Sequence, residues 1–466
     1  MTGTGWIADK VSRLLPQGGP SRSSHERLAA TLTRADEAMS PRALRVALGQ
    51  LRAIVDPQVS EVEGGLRARA VANWYRAASP QQRRDLWLLM SEQFGADPAV
   101  AKAAQAALSA AVGTPDEAAA EVRYRRATVS PRRRLLQRFS AFEQGIRFLV
   151  DLRADLLPAL KSDKRLQALD VEMEYMFSTW FDVGFLELRR ISWDSPASLI
   201  EKLIRYEAVH DIKSWADVKN RLDSDRRCYG FFHPRLPDEP LIFVEVALMD
   251  HMADSMVPLL DESADHADLA RATTAIFYSI SNTQPGLRGV SFGDSLIKRV
   301  VDTLKLEFPH LKRFATLSPI PGFRSWLAKN LEGLLARLDN KSRAGLARAL
   351  RTESNTTEQV LANPHNVAQI AEASPVRKAL TQFAVHYLAN SLHEGRPVDA
   401  VARFHLGNGA RVERINWAAD PSAKGHKQSF GLMVNYLYDL KKLDRYRAQL
   451  ARGQVALSPG IDALKL

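Results

Sequence analysis

Three features of the chain have residue types and spacing suited to chemistry: a serine, a histidine and a glycine-spaced loop. Ser318 stands before the stiff turn Pro319-Ile320-Pro321-Gly322, His405 lies between Phe404 and Leu406, and Pro285, Gly286, Gly289 and Gly293 punctuate the loop. A hydroxyl orients a substrate by hydrogen bonding, and an imidazole can donate a proton near neutral pH. A glycine-spaced loop entering a helix leaves backbone N–H groups pointing outward, where the helix dipole adds partial positive charge, so it can cradle a phosphate or pyrophosphate. Each feature also has a plainer reading. Ser-Pro makes ordinary turns, a histidine among apolar neighbours is often a hydrogen-bonded core residue, and the loop spacing is neither a Rossmann fingerprint nor a P-loop.

The elements that must position these residues are legible as patterns. Thr273–Ile280, β-branched and aromatic, reads as a strand; Leu296, Ile297, Val300, Val301 and Leu304 recur at helical spacing until Pro309; Arg313–Leu317 reads as a second strand. Ser318 then falls at a strand end beside the loop. A further strand is expected at Cys228–His233, and the neighbourhood of His405, Ala400–Leu406, is read as a strand too, paired with Arg411–Trp417 across a tight Gly407-Asn408-Gly409 turn. Leu241–Leu248 has the continuous apolar character of a buried strand. Trp326–Ser354 and Val376–Leu392 read as helices, as does a segment introduced by Ser195-Pro196 and ending near His210.

Ahead of these, Pro16–Ser24 reads as a loose arm, and the chain is then helical. His25–Met39, Pro41–Val55, Gly64–Ala77, Ser79–Phe94, Pro98–Val112, Pro115–Arg125, Arg132–Leu149 and Leu166–Leu188 carry apolar residues three and four apart, several opened by Ser or Pro. No fixed-period repeat is evident, so a bundle is expected rather than a solenoid.

At 466 residues, 45% hydrophobic and 25% charged, the chain is expected to fold as two domains. Its net charge of +11 attracts anions, phosphates included. No nucleic-acid motif accompanies the basic runs at 123–126 and 131–134, which read as solvated helix faces. Cys228 is the single cysteine, so no intramolecular disulfide can form. Met1–Gly19 has Trp6, Ile7, Val11 and Leu14 at helical spacing but no apolar signal core, no segment suits a bilayer, and Leu464-Lys465-Leu466 departs from Ser-Lys-Leu, so a cytoplasmic protein is expected. His386 and His393, seven apart on an expected helix, give no metal pattern; Asp250, Asp254, Asp261 and Asp265, with His251 and His266, read as a solvated segment. Lys298-Arg299 could reach phosphates or serve as surface charge.

Together SISNTQPGLRG, SLIKRVVDTLKLEFPHLKRFATLSPIPGF and VARFHLGNGARVERINWAAD resemble malonyl-CoA decarboxylase from about Phe185 to Asp439, with LSPIPGF and FHLGNGA specific as a pair. The resemblance implies a mainly α fold with an α+β part: an N-terminal helical bundle, residues 1–188, for assembly, then a catalytic domain, residues 189–466, of the GNAT acetyltransferase fold with a helical insertion. It also implies that Ser318 and His405 form the catalytic pair, His405 donating the proton to Cα. The loop Arg288, Gly289, Val290, Ser291, Phe292, Gly293 and Asp294 would hold coenzyme A, although the family often has a carboxylate where this chain has Ser291. Asn408, adjacent to the segment that bears His405, is read as stabilising the turn, with the enolate as the alternative. The expected reaction takes malonyl-CoA to acetyl-CoA and CO2 with no cofactor and no metal, in malonate and fatty acid metabolism, by a homotetramer or dimer. The alternatives are a GNAT acyltransferase and a non-catalytic CoA-binding protein; neither nucleic acid nor a membrane is expected as partner.

Overall fold

The computed structural model describes residues 39–290, 292, 296–352 and 367–466. The expected arm Pro16–Ser24, residues 1–19 and nearly all of the expected helix His25–Met39 lie outside them. Two compact units are found: one comprises residues up to Phe185 with Pro234–Pro237 and Gln284–Ser291, the other Leu186–His233, Asp238–Thr283 and Phe292–Leu466.

The first unit is helical: α1 Pro41–Val55, α2 Glu61–Ala77, α3 Pro80–Glu92, α4 Pro98–Ala111, α5 Glu117–Thr128, α6 Pro131–Ser140, α7 Gly145–Leu156 and α8 Gln167–Trp180. Four of these starts share one signal. Ser40, Ser79, Asp97 and Ser130 each cap a helix with a side-chain oxygen, and proline follows at the first position, where its missing N–H costs nothing. Leu48, Leu89, Leu136 and Leu152 are buried, and Phe139 stacks on Phe148 at 5.3 Å. Three expectations change. Arg132–Leu149 is two helices, because Gln144 takes a left-handed φ of 62° between α6 and α7. The helical pattern stops at Trp180 and a strand begins at Glu187, before Leu188. Arg132 is not part of a solvated face: it is buried and its guanidinium donates to Met90 O and Ala168 O, both at 3.1 Å, joining α6 to its neighbours through carbonyls.

The second unit is built on a mixed sheet. Its elements are β1 Glu187–Ile191, α9 Ala197–Tyr206, α10 Trp215–Arg221, β2 Arg226–His233, β3 Leu236–Met249, α11 Val257–Leu260, β4 Thr274–Asn282, α12 Leu296–Glu307, β5 Arg313–Thr316 and β6 Ser318–Pro319. There follow α13 Phe323–Arg337, α14 Asn340–Thr352, α15 Pro375–Asn390, β7 Leu392–His393, β8 Arg396–Pro397, α16 Ala400–Gly407, β9 Arg411–Asn416, α17 Ala423–Ser429, β10 Met433–Leu437, α18 Leu443–Ala451 and α19 Pro459–Asp462. The sheet order is β1-β2-β3-β4-β5-β10-β6, with β9 also on β10. Helices α13 to α15 supply the helical insertion.

One feature of this sheet positions the site. Strands β4 and β5 run parallel, as the crossover through α12 requires, but their pairing stops at Phe277 and Thr316 with a last bond from Leu317 N to Phe277 O at 3.0 Å. Beyond it β4 continues to Asn282 against β3, while the other strand turns to pair with β10. The sheet therefore opens where Ser318 begins. This is the splayed α+β acetyltransferase-like core anticipated for the catalytic half.

Two strand-level expectations are corrected here. Ala400–Leu406 is a helix: Asp399 caps it, and Ala402, His405 and Leu406 are buried at the three-and-four spacing of one helical face. The segment Gly407-Asn408-Gly409 accordingly links a helix to a strand, not two strands. His386 and His393 do not share a helix, since His386 lies in α15 and His393 in β7.

Candidate active site

Ser318 and His405, 87 residues apart in sequence, meet: Ser318 Oγ lies 3.2 Å from His405 Nε2. Both are nearly inaccessible, at 4% and 3% exposure. Ser318 is fixed by β6, which pairs Val434 with Ser318 and Met433 with Pro319, and by the turn whose Ile320 is fully buried. Its hydroxyl also bonds Thr316 Oγ1 at 2.8 Å.

The other ring nitrogen of His405 is held by Tyr438, with Nδ1 2.7 Å from the phenol oxygen, and the imidazole stacks on Tyr436 at 4.7 Å. One proton arrangement satisfies the chain: Tyr438 O–H donates to Nδ1, Nε2–H donates to Ser318, and Ser318 donates to Thr316 Oγ1. Burial alone pulls the imidazole pKa down to about 3, so the resting ring is neutral, consistent with that tautomer. A substrate anion beside it would oppose the shift.

Asp399 joins the two halves of this pair. Its Oδ1 accepts from the N–H groups of Val401 and Ala402, both at 3.0 Å, capping the helix that carries His405. Its Oδ2 faces Tyr387 O–H at 3.3 Å and Gly322 N–H at 3.5 Å, in the turn that holds Ser318. Burial raises this carboxyl. Sequence reasoning did not single out Asp399, Tyr436 or Tyr438. Reading 400–407 as a helix would have marked Asp399 as its cap, and the two-residue spacing of the tyrosines places them on one face of a strand.

Asn408 ends α16, its Nδ2 donating to Phe404 O at 2.7 Å, which is a turn-stabilising role. It also lines a cavity with Ile297, Lys298, Val301, Tyr438 and Arg447. Lys298 thus presents its chain to a cavity bounded by the tyrosine that holds His405. Arg299 is spent structurally, on Leu186 O at 2.6 Å.

In the glycine loop, Ser291, Gly293 and Asp294 lie outside the described residues. Gly286 is required by close approach to α7: a Cβ there would fall 1.9 Å from Val150 O. Arg153, buried in α7, donates to Gly286 O at 2.8 Å and Arg288 O at 2.9 Å, a support the sequence did not signal. The N–H groups of Arg288 and Val290 are engaged within the loop, by Pro285 O and Leu287 O. Val290 and Phe292 are buried, whereas Arg288 and Gly289 are exposed. Gly289 has φ +83° and open space around its missing Cβ. Valine there meets no steric wall but is forced into a left-handed backbone that β-branched residues resist. If this loop holds coenzyme A as expected from the sequence, Gly289→Val should weaken CoA binding about tenfold, with a small fall in melting temperature from the strained backbone. Calorimetric titration with CoA checks this; unchanged affinity in the folded variant removes Gly289 from the loop's function.

No group of three or more metal-ligating side chains is found among the described residues. The acidic segment Asp250, Asp254, Asp261 and Asp265 is exposed.

Residues 184–465 match the malonyl-CoA decarboxylase C-terminal domain, and residues 94–181 match the malonyl-CoA decarboxylase N-terminal domain. The chain belongs to the malonyl-CoA decarboxylase family. It is 37% identical over 389 residues to the mitochondrial malonyl-CoA decarboxylase of Rattus norvegicus, covering 78% of each chain. The crystal structure of malonyl-CoA decarboxylase from Rhodopseudomonas palustris superposes with a TM-score of 0.78 at 38% identity, over 90% of this chain and 99% of that one. That of the Cupriavidus metallidurans enzyme gives 0.71 at 44% identity, over 91% and 100%. Membership in the malonyl-CoA decarboxylase family makes the chain an enzyme, a carboxy-lyase, and malonyl-CoA the substrate consistent with the family.

Proposed function

We propose that the chain decarboxylates malonyl-CoA to acetyl-CoA without a cofactor, with Ser318 and His405 as the reacting pair. The observation that carries this reading is their 3.2 Å approach at the point where the sheet opens. The bond between the carboxylate carbon and Cα breaks, CO2 leaves, and its electron pair forms a thioester enolate. The thioester itself is the electron sink. Ser318 orients the acyl end by hydrogen bonding, and His405 hands a proton to Cα, so that one proton is consumed per CO2 released. A neutral resting imidazole suits this order: the anionic substrate raises its proton affinity only when bound, and the proton is kept for the enolate.

Residues 288–294 are assigned to the coenzyme A phosphates; among the described ones the N–H groups of Arg288 and Val290 are engaged by Pro285 O and Leu287 O. The domain division is placed near Leu188. Incubation with malonyl-CoA and mass detection of products tests the reaction. Acetyl-CoA is the expected product; an acylated acceptor with free CoA would make the chain an acyltransferase, and unchanged substrate a CoA-binding protein.

The helical domain is assigned to assembly of a homotetramer or dimer. Helix α4 is rich in alanine yet buries none of its residues, and Val100 and Val112 are 53% and 64% exposed. An apolar helix left uncovered suits a second copy of the chain. Light scattering is expected to give at least a dimer, and a monomer at working concentration overturns the assignment. No helix of the described residues is long and apolar enough to cross a membrane. A cytoplasmic location and a place in malonate and fatty acid metabolism complete the reading.

A further inference from the structure

The two ring nitrogens of His405 lead in different directions. On the Nε2 side the hydrogen bonds run into the sheet: Ser318 Oγ lies 3.2 Å away and donates at 2.8 Å to Thr316 Oγ1, which also accepts from the backbone N–H of Tyr436 at 3.1 Å. On the Nδ1 side stands the phenol of Tyr438, 2.7 Å away, on a residue whose backbone N–H is anchored to Phe314 O at 2.9 Å. Tyr438 is also a wall of the cavity that Ile297 and Val301 of α12, Asn408 at the end of α16 and Leu443 of α18 enclose. Solvent reaches that cavity, since Lys298 in its wall is exposed and Leu440 is 36% exposed.

The cavity suits water. Its volume is about 70 Å³, more than one water needs, and two polar groups in its wall have bonding capacity to spare. Asn408 is 7% exposed and its Nδ2 donates to Phe404 O, but its Oδ1 has no hydrogen-bond partner among the described residues. An unpaired buried acceptor is costly, so a water that donates to it is favourable. The Tyr438 oxygen, having given its own proton to Nδ1, keeps lone pairs with which to accept from water in the cavity. Burial pushes the Tyr438 phenol well above its ordinary value, so it rests protonated and releases its proton only as it takes another.

We propose that Tyr438 and the water of this cavity form a proton relay to His405, feeding Nδ1 as Nε2 protonates Cα. The relay rests on the decarboxylase reading and adds the source of the compensating proton. As the Nε2–H bond breaks and the Cα–H bond forms, the Tyr438 proton passes to Nδ1 and a water proton passes to the Tyr438 oxygen. The enolate becomes acetyl-CoA, the imidazole stays neutral with its proton on Nδ1, and the hydroxide left in the cavity takes a proton from solvent. When product gives way to solvent, Nε2 regains a proton from it and the Nδ1 proton returns through Tyr438 to the cavity. One proton is consumed per CO2 released, and the buried ring never has to become an imidazolate.

Exchange of the Cα protons of acetyl-CoA with D2O, followed by mass spectrometry on the full chain, reads the protonation step in reverse. Tyr438→Phe keeps the ring and removes the relay. Leu443→Trp and Leu440→Trp fill the cavity and leave His405, Tyr438 and the glycine loop untouched; the variant that keeps the parent melting temperature is the one used, and Leu440, being partly exposed, tolerates the added bulk. Tyr438→Phe is expected to slow exchange about a hundredfold, the low end for a positioned acid–base group, and the tryptophan variant about tenfold, with CoA affinity by calorimetry within about twofold of the parent. The kcat for malonyl-CoA should fall with exchange while KM holds. Slowing in Tyr438→Phe alone would make the phenol a support for the imidazole and end the relay; lost CoA affinity in the tryptophan variant would give the cavity to the coenzyme A arm and end it as well. If the parent neither exchanges nor decarboxylates, the reaction assigned above falls and the relay with it. If the parent does both and every variant matches it, the relay alone falls.

Discussion

Ser318→Ala and His405→Ala are each expected to lower kcat by roughly 10²–10⁴, the range for a positioned acid–base group, and the double variant is expected to be little worse than the poorer single one. The reason is their shared hydrogen bond. Nε2–H points at Ser318 only because Tyr438 occupies Nδ1 and Thr316 takes the serine proton, so removing either residue disorders the proton path that the other serves. CoA affinity should barely move, because neither residue belongs to the loop proposed for the phosphates. A purely structural His405 would behave differently: its alanine variant would melt earlier, while the folded fraction kept near-normal turnover. Independent, multiplying effects of the two substitutions would also remove the pair from the mechanism. Steady-state rates, CoA titrations and melting curves on the three variants separate these outcomes.

Arg221→Met is expected to destabilise the catalytic unit by roughly 3–5 kcal/mol, the cost of breaking a buried ion pair. Arg221, 1% exposed, donates to Asp217 at 2.7 Å and to Glu245 at 3.0 Å, and Glu245 has no exposed surface. Burial and the nearby Glu207 push the Glu245 carboxyl up to about 8 even with Arg221 in place. The sign of the pH dependence follows. Between an ordinary carboxyl pKa and about 8 the unfolded chain has released this proton and the folded chain retains it, so Glu245's contribution declines as pH rises and levels off above 8. Without Arg221 the folded pKa rises further and the decline continues. The stability gap between parent and variant should therefore widen above pH 8, by up to about 1.4 kcal/mol per pH unit. Urea unfolding across that range measures it; a gap that narrows would show that Arg221 does not hold Glu245 in its charged form.

Much of the helical half was legible because its signals are local. Ser40-Pro41, Ser79-Pro80, Asp97-Pro98 and Ser130-Pro131 each set a capping oxygen and a proline side by side, and the helices start at those prolines. The loop-helix-strand run before Ser318 was equally readable, since its apolar periods switch from two to near four and back within one short stretch. Buried arginines were not legible. Arg132 and Arg153 look like surface charge in sequence, and distant segments pay their desolvation: the carbonyls of Met90, Ser91 and Ala168 for one, the carbonyls of Gly286 and Arg288 and the Asp170 carboxylate at 2.8 Å for the other.

Residues 400–407 show where local pattern fails. Val401, Phe404 and Leu406 around His405 fit a short apolar strand as well as a helix, and eight residues are too few for periodicity to choose. What chose was Asp399, whose carboxylate caps the helix while reaching the turn at Gly322, a contact across 77 residues that no local pattern encodes. By itself, then, the sequence determined the chemistry available to this protein: a serine on a stiff turn, a histidine, a glycine loop and the motifs that carry the family likeness. The tertiary structure alone decided that β4 and β5 part at Phe277, that the helix bearing His405 is fastened to the serine's turn, and that Tyr438 directs the imidazole proton. Those are long-range hydrogen bonds, and their partners become neighbours only once the sheet has formed.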